Sequence, residues 1–141
     1  MRPVILFIAT SLDGYIARTD GGIDWLFKDQ DYGYREFFSC VDTVVMGRKT
    51  YAVSRSFEEY PYPDRRGYVF SRSRSGQQDD YVRFISTAPT EFINGLKSKP
   101  GKHIWLVGGS ELIQDFVQAD LIDEYVISVH PIILGNGIPL F

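Results

Sequence analysis

The chain has little cysteine, no dense run of like charges and no long apolar segment. Its one cysteine in 141 residues, Cys40, excludes an internal disulfide and fits a reducing compartment. The basic residues are scattered and the formal net charge is -3, which disfavours nucleic acid as the main partner. No apolar run approaches the roughly 20 residues of a membrane span. We therefore expect a soluble, cytoplasmic protein with neither nucleic acid nor a membrane as partner.

Several motifs of common enzyme classes are also absent. The chain has no G-x-G-x-x-G, no P-loop and no G-x-S-x-G motif, which argues against standard Rossmann, P-loop and α/β-hydrolase sites. His103 and His130 lack a histidine or cysteine neighbour at ligand spacing, so we expect no metal site. His130 precedes Pro131 and could face a pocket, but a structural role is favoured. We interpret Cys40 as a small buried hydrophobe near a helix end.

The residues that are present predict a single ordered domain over 1–141. Hydrophobic residues make up 44% and aromatic residues 15%, enough for one good core. Apolar runs alternate with helical patterns, which indicates an α/β fold with a central, mostly parallel sheet and helices on both faces. Strands are predicted over 4–10, 43–46, 67–70, 81–86, 103–107 and 121–129, and helices over 31–41, 49–54 and 110–118. A further helix is predicted after Thr87, its candidate N-cap, with Phe92, Ile93 and Leu96 on its apolar face.

Four predicted strands end in segments that suit a ligand: 9–10, 47–48, 71–72 and 108–109. In such folds, ligands bind beyond the carboxyl ends of the strands. Gly47 and Gly108 each precede a predicted helix, whose free backbone N–H groups favour an anion, and Arg48 adds donors that suit a phosphate. Two phosphate-type turns in one small chain suggest a dinucleotide. The loop 71–76 either grips a phosphate or is simply solvated, and composition alone favours the second.

Four segments together resemble a known family: 11–17, 44–51, 106–112 and 131–141. The paired blocks Met46-Gly47-Arg48-Lys49-Thr50 and Val107-Gly108-Gly109-Ser110 carry most of the likeness. In order and spacing the four segments resemble the dihydrofolate reductase-like superfamily, and specifically the branch that contains the reductase domain of bacterial riboflavin biosynthesis. The ending at 131–141 resembles that branch more than true dihydrofolate reductases.

The resemblance implies the three-layer dihydrofolate reductase-like fold and an NADPH-dependent reductase. It would transfer hydride to a pterin-, pyrimidine- or ribosylamino-type substrate, as in folate reduction or riboflavin biosynthesis. The implied cofactor contacts are Ala9 and Ile16 at the nicotinamide; Gly47, Arg48, Lys49 and Thr50 at the pyrophosphate and 2′-phosphate; Ser71 and Arg72 at the adenosine 2′-phosphate; and Gly108, Gly109, Ser110, Glu111 and Leu112 at the pyrophosphate. The resemblance also implies that the 71–76 loop binds a phosphate rather than being simply solvated. Arg48 and Arg72 together favour NADPH over NADH.

The same resemblance places Asp31 where folate reductases keep a pocket carboxylate. There it would bind the ring nitrogens of the substrate and support proton delivery, with Trp25 and Leu26 lining the pocket. The alternative role is a helix cap, which Asp29 would serve equally well.

Two further expectations concern the chain end and a rival function. Family members usually continue for one or two strands past 139–141, so we expect a shortened chain or a sheet edge completed differently, for example in a homodimer. The rival is a non-catalytic nucleotide- or flavin-binding module of the same fold. A purely structural dimerisation domain is disfavoured by the four strand-end segments.

Overall fold

The computed structural model describes residues 2–141 and contains a six-stranded, all-parallel sheet with strand order β5-β4-β3-β6-β1-β7. A separate pair of short strands, β2 and β8, is antiparallel. The predicted α/β fold is therefore confirmed. In chain order the elements are β1 (Val4–Ser11), β2 (Tyr15–Ala17), α1 (Tyr34–Ser39), β3 (Val41–Gly47), α2 (Arg48–Ser56), β4 (Arg66–Phe70), β5 (Val82–Ile85), α3 (Pro89–Lys97), β6 (His103–Gly108), α4 (Ser110–Gln118), β7 (Glu124–His130) and β8 (Ile138–Pro139).

The central strands are buried on both faces, which explains their continuous apolar runs. On one face, Val45 of β3 packs in a cluster with residues of α3 and α4, including the fully buried Phe116. On the other face, Met46 and Trp105 pack with Tyr51 of α2 and the aromatic side chains of α1. Alternate side chains of one strand thus serve two cores, and the sheet lies between two helical layers.

The chain reverses direction across the sheet between β3 and β6. From β3 the chain passes through α2 to β4 on one side, whereas from β6 it passes through α4 to β7 on the other side. Such a switch point opens a crevice at the carboxyl ends of the two strands. The pairing shifts there from Val45 opposite Leu106 to Met46 opposite Gly108, so Val107 is an extra residue in β6. This bulge lies directly before the crevice.

The loop after β1 is tied to the last residues of the chain. β2 pairs with β8 through Tyr15 opposite Pro139, a contact that no local pattern in the sequence predicts. The carboxylate of Asp13 accepts hydrogen bonds from the backbone N–H groups of Leu134 at 3.2 Å and Gly135 at 2.9 Å. The segment that follows β1 is therefore held in place by residues more than 100 positions away.

The bounds of α1, the N-cap of α3 and the start of β7 differ from the sequence-based expectation. Helix α1 does not extend over 31–41, because Gly33 with φ of 80° precedes it and Val41 begins β3. Thr87 does not cap α3, whose N-cap is Ala88 without a side-chain hydrogen bond. The last strand starts at Glu124 rather than 121, because Leu121 donates its N–H to the carbonyl of Phe116 and completes a Schellman-type end of α4.

The prediction that Cys40 is buried is wrong. Cys40 is exposed at the C-terminal end of α1. No residue of α1 is fully buried. Its half-buried side chains Phe37 and Phe38 pack against the core cluster that contains Met46 and Trp105. Of the helices in residues 2–141, none combines the length and the apolar character that a membrane crossing requires.

Candidate functional site

The crevice between β3 and β6 is lined by glycines whose backbones lie close together. A Cβ added to Gly47 would lie 3.7 Å from the backbone nitrogen of Gly109 and 3.8 Å from the carbonyl oxygen of Gly108. Gly108 has φ of 145°, a conformation that favours glycine. The peptide bond between Gly108 and Gly109 is cis. Glycine at these positions places no side chain between the backbone and a ligand in the crevice.

Helices α2 and α4 both begin at this crevice and neither has a side-chain cap. Their N-cap residues are Gly47 and Gly109, which offer no side-chain acceptor. The first N–H groups of a helix lack partners within the helix and carry its partial positive charge. Two such ends on either side of one switch point form a site that suits a diphosphate.

Unpaired cations follow the same edge of the sheet. Arg48 and Lys49 are exposed in the first turn of α2, and Arg72 is exposed after β4. None of the three takes part in the ion pairs found within residues 2–141. Gly47 pairs with Phe70, so the segment that contains Arg72 and the buried Ser71 lies beside the end of β3. These cations are free to pair with phosphate oxygens.

A cavity of about 490 Å³ adjoins the crevice. Val107 lines the cavity, and the next residue, Gly108, belongs to the crevice. The cavity walls come from the carboxyl halves of β1, β6 and β7, from the loop 26–32 and from α1, and most of them are apolar or aromatic. The indole nitrogen of Trp105 donates to the carbonyl of Phe7 at 3.1 Å and so fixes one wall.

The structure brings only some of the predicted pocket and nicotinamide residues into this cavity. Ala9, Leu26 and Asp31 line it. Trp25 is buried at 5% exposure but is not among the lining residues; its ring packs against that of His130 with centroids 5.8 Å apart. Ile16 lies in β2 and packs against the hydrophobic core.

The predicted pyrophosphate residues of β6 and α4 divide between the crevice and the core. Ser110 and Glu111 lie in the first turn of α4, and Glu111 is exposed. Leu112 is buried in the core on the α3 and α4 face of the sheet. Thr50 connects the two sides of the crevice, because its hydroxyl oxygen would be 3.1 Å from a Cβ on Gly109.

Asp31 has a structural role beside its place in the cavity. Its carboxylate oxygens accept the backbone N–H of Arg35 at 3.1 and 3.3 Å, in the first turn of α1. Asp31 therefore caps the helix as one of the two sequence-based alternatives expected. Asp29 instead accepts a hydrogen bond from the Tyr32 hydroxyl.

Tyr34 supplies a neutral hydroxyl to the cavity. Burial raises the pKa of Tyr34 to about 12, and the neighbouring Tyr62 adds to the shift. The phenol therefore keeps its proton at neutral pH and can donate a hydrogen bond. The side chains of residues 2–141 contain no group of three or more histidine, cysteine, aspartate or glutamate residues that could hold a metal ion.

Sequence reasoning missed several cavity residues. His130, taken as structural, lines the cavity while its Nδ1 accepts the backbone N–H of Phe27 at 3.2 Å. Its position at the carboxyl end of a strand was a usable signal, the same one that indicated Gly47 and Gly108. The other missed lining residues are Phe7, Ile8, Phe27, Lys28, Gln30, Tyr32, Tyr34, Trp105, Val107 and Ser128.

Comparison with known sequences gives matches over nearly the whole chain. The model of the RibD C-terminal domain family matches residues 2–141. Two uncharacterized proteins of Bacillus subtilis (strain 168) are similar: YwjB is 46% identical over 144 residues, and YyaP is 38% identical over 152 residues. The alignments cover 99% of this chain in both cases, and 83% of YwjB and 80% of YyaP.

Comparison with solved structures agrees with the fold expected from the resemblance. A protein of Shewanella sp. PV-4 that has been assigned provisionally to riboflavin biosynthesis superposes with a TM-score of 0.86 at 36% identity, over 99% of this chain and 82% of that one. The diaminohydroxyphosphoribosylaminopyrimidine deaminase/5-amino-6-(5-phosphoribosylamino)uracil reductase of Thermotoga maritima gives a TM-score of 0.74 at 18% identity, over 99% of this chain and 48% of that one. Dihydrofolate reductase of Enterococcus faecalis, complexed with NADP(H) and RAB-propyl, gives 0.73 at 19% identity, over 99% and 77%. These likenesses confirm the dihydrofolate reductase-like fold.

Proposed function

The chain belongs to the RibD C-terminal domain family, and on that basis we propose that it is an NADPH-dependent reductase of a pterin-, pyrimidine- or ribosylamino-type substrate. The observation that carries the proposal is the junction at Val107 and Gly108, where the apolar cavity meets the glycine-lined crevice. A reductase of this kind needs a substrate pocket directly beside a dinucleotide groove. The two sites share strand β6, so ligands in them would be neighbours.

The residues of the crevice fit NADPH. A Cβ on Gly47 would lie 3.7 Å from the backbone nitrogen of Gly109, and a Cβ on Gly109 would lie 3.1 Å from the Thr50 hydroxyl oxygen. Both helix N-termini beside these glycines lack a side-chain cap. Arg48 and Arg72 would hold the 2′-phosphate, which supports NADPH over NADH because a dianion needs charge-assisted donors. Lys49, Thr50 and Ser71 would complete this part of the site.

The bound cofactor would supply the hydride, and the chain's own residues would orient the substrate, exclude water and support proton delivery. The aromatic and apolar walls of the cavity would orient the substrate ring and exclude water. Asp31, which lines the cavity, would hold a ring N–H of the substrate and support delivery of the proton that accompanies reduction. No side-chain nucleophile is required for hydride transfer.

The proposal is tested by cofactor binding and turnover. We expect purified protein to enhance or quench nicotinamide fluorescence on titration with NADPH, with weaker binding of NADH. Turnover is then measured as NADPH oxidation with pterins, pyrimidinones and ribosylaminopyrimidines. Absence of binding of either cofactor at millimolar concentration would refute the proposed function.

A second candidate, a non-catalytic nucleotide- or flavin-binding module, is favoured by one observation. The hydrogen bonds from Arg35 to Asp31 give the carboxylate a structural role that needs no catalysis. NADPH binding without turnover of any tested pterin or pyrimidine, and unaffected by Asp31→Asn, would support this candidate.

A homodimer and a cytoplasmic location are part of the proposal. Strand β7 is an edge of the sheet, and the side chains of Tyr125 and Val129 on it are 47% and 57% exposed. An exposed edge strand with apolar side chains can pair with a second copy. We expect light scattering after size exclusion to report a dimer that Val129→Lys weakens. The free, exposed Cys40 fits a reducing compartment.

A further inference from the structure

The tautomer of His130 is fixed by the protein backbone. His130 ends strand β7, lines the cavity and is only 6% exposed. Its Nδ1 accepts a hydrogen bond from the backbone N–H of Phe27 at 3.2 Å. An amide N–H can only donate, so Nδ1 carries no proton in this arrangement. A neutral imidazole has one proton, which must therefore be on Nε2.

Three aromatic rings hold the imidazole in one orientation. The Trp25 and Phe27 rings pack edge-to-face against it, with centroid distances of 5.8 and 5.3 Å and interplanar angles of 88° and 83°. The Tyr32 ring lies at 5.6 Å. Edge-to-face contacts are favourable for aromatic pairs, so rotation of the imidazole would lose several of them. The direction of Nε2–H is thus set before any ligand binds.

Within residues 2–141, His130 Nε2 is a hydrogen-bond donor that has no partner. The fully buried side-chain nitrogen and oxygen atoms that lack a partner, within the part of the chain described, are Trp25 Nε1, Tyr60 Oη and Arg65 Nε. His130 Nε2 is not one of them, and the His130 side chain lines the cavity. A ligand that fills the cavity must offer this donor an acceptor or leave it unpaired, which is costly.

We propose that His130 determines substrate specificity by donating Nε2–H to a ring carbonyl oxygen of a planar heterocycle. This inference rests on the proposed function, because the heterocycle is the substrate of the reductase. Asp31 lines the same cavity and offers acceptor oxygens. One donor and one acceptor match the edge of a cyclic amide, whose carbonyl accepts and whose N–H donates. An amino group in place of the carbonyl would meet Nε2–H donor to donor and would be disfavoured.

Two isosteric variants separate the two nitrogens of His130. In His130→Asn, the amide oxygen can take the place of Nδ1 and still accept the N–H of Phe27, but nothing replaces Nε2–H. In His130→Gln, the longer side chain places an amide N–H near the position of Nε2, and the acceptor for Phe27 is lost. A specificity role and a purely structural role therefore predict opposite results for the pair.

The probes are lumazine, a pteridine with two ring carbonyl groups, and 2,4-diaminopteridine, which has amino groups at those positions. Both are titrated against the NADPH complex by fluorescence. We expect the wild type to prefer lumazine and His130→Asn to bind it about tenfold more weakly, the loss typical of one unpaired buried donor. The variant should also lose the preference between the two probes. Its NADPH affinity should stay close to that of the wild type, whereas loss of the ring contacts should lower the thermal unfolding temperature of both His130 variants.

His130→Gln should keep the preference for lumazine while the Phe27 amide exchanges its hydrogen faster. Long-range ¹H–¹⁵N NMR of the imidazole gives a second test that needs no ligand and should show the proton on Nε2. A proton on Nδ1, or lumazine binding by His130→Asn equal to that of the wild type, would overturn the inference. A wild type that binds NADPH but not lumazine would also overturn it and leave the NADPH-reductase proposal standing; binding of neither would overturn both.

Discussion

Thr50 and Gly109 connect the two sides of the crevice: the hydroxyl oxygen of Thr50 lies 3.1 Å from the position that a Cβ on Gly109 would occupy. The first turn of α2 therefore closes against the end of β6. We expect Gly109→Ala to push Thr50 aside and to lower the free energy of unfolding by about 1–3 kcal/mol, the usual cost of overpacking. Denaturant unfolding with linear extrapolation measures this change.

The matched control for that prediction is the double variant. In a Thr50→Ala background the hydroxyl is gone, so Gly109→Ala should cost less than it does in the wild type. The coupling energy between contacting residues is typically about 0.5–3 kcal/mol. If the free-energy changes of Thr50→Ala and Gly109→Ala simply add in the double variant, contact with the Thr50 hydroxyl is not what disfavours a larger residue at position 109.

Arg48 should distinguish NADPH from NADH. It is exposed at the start of α2 and forms no ion pair within residues 2–141, so it is available for a 2′-phosphate. We expect Arg48→Ala to raise the Kd for NADPH by about 10- to 100-fold, the worth of a charge-assisted hydrogen bond, and to change the Kd for NADH little. Arg66→Ala removes the same charge at the amino end of β4 and should change neither. Equal losses for both cofactors would refute the role in 2′-phosphate binding.

Asp31 can be tested without losing its helix cap. In Asp31→Asn the amide oxygen can still accept the N–H of Arg35, because asparagine is a good capping residue, but the charge and the proton acceptor are gone. If Asp31 supports proton delivery, kcat should fall by about 100-fold or more while the unfolding temperature changes little. Asp31→Ala should lose both activity and stability. Full activity in Asp31→Asn would assign Asp31 to capping alone.

The hydrogen bonds of Asp13 to Leu134 and Gly135 should make the stability of the protein depend on pH. The hydrogen bond from Ser11 is the main cause that lowers the pKa of Asp13 below 3.8; desolvation opposes it, and the N–H groups of Gly135 and Leu134 lower the pKa further. A carboxyl group with a depressed pKa in the folded state stabilises the fold above its unfolded pKa, and this contribution is lost as the pH falls through the folded value. Asp13→Asn should therefore destabilise at neutral pH, and its difference from the wild type should shrink below pH 3.8.

The control for Asp13 is an acid without such contacts. The side chain of Asp80 is exposed and makes no hydrogen bond or ion pair in the described part of the chain, so Asp80→Asn should leave the pH profile of the unfolding temperature unchanged. A constant difference between Asp13→Asn and the wild type at every pH would contradict the assigned linkage.

The sequence predicts best those elements that depend on a local pattern of residues. The apolar run of β1 predicted a central strand, and the glycines at 47 and 108 predicted sharp turns into helices, because both signals are local. The parallel sheet then brought the ends of β4, β3, β6 and β1 side by side, as the alternation of elements had indicated.

The features that sequence reasoning missed depend on contacts between distant residues. The short strand at Tyr15–Ala17 exists because Ile138–Pro139 pairs with it, and neither segment has a strong strand pattern of its own. The role of His130 depends on the path of the loop that brings the N–H of Phe27 to Nδ1. The Trp25 ring packs edge-to-face against the imidazole of His130, a contact that cannot be predicted from the position of Trp25 in the sequence.

The strand order has a consequence for how the protein folds. β6 lies between β3 and β1, although it comes after β4 and β5 in the chain. The register that places Val4 opposite Ile104 joins residues about 100 positions apart, and such non-local pairings slow folding because a long loop must close first. On the ribosome, most of the chain must be made before the central strand can insert. The crevice between β3 and β6 can thus form only after residues 103–108 have been made and have paired with β3.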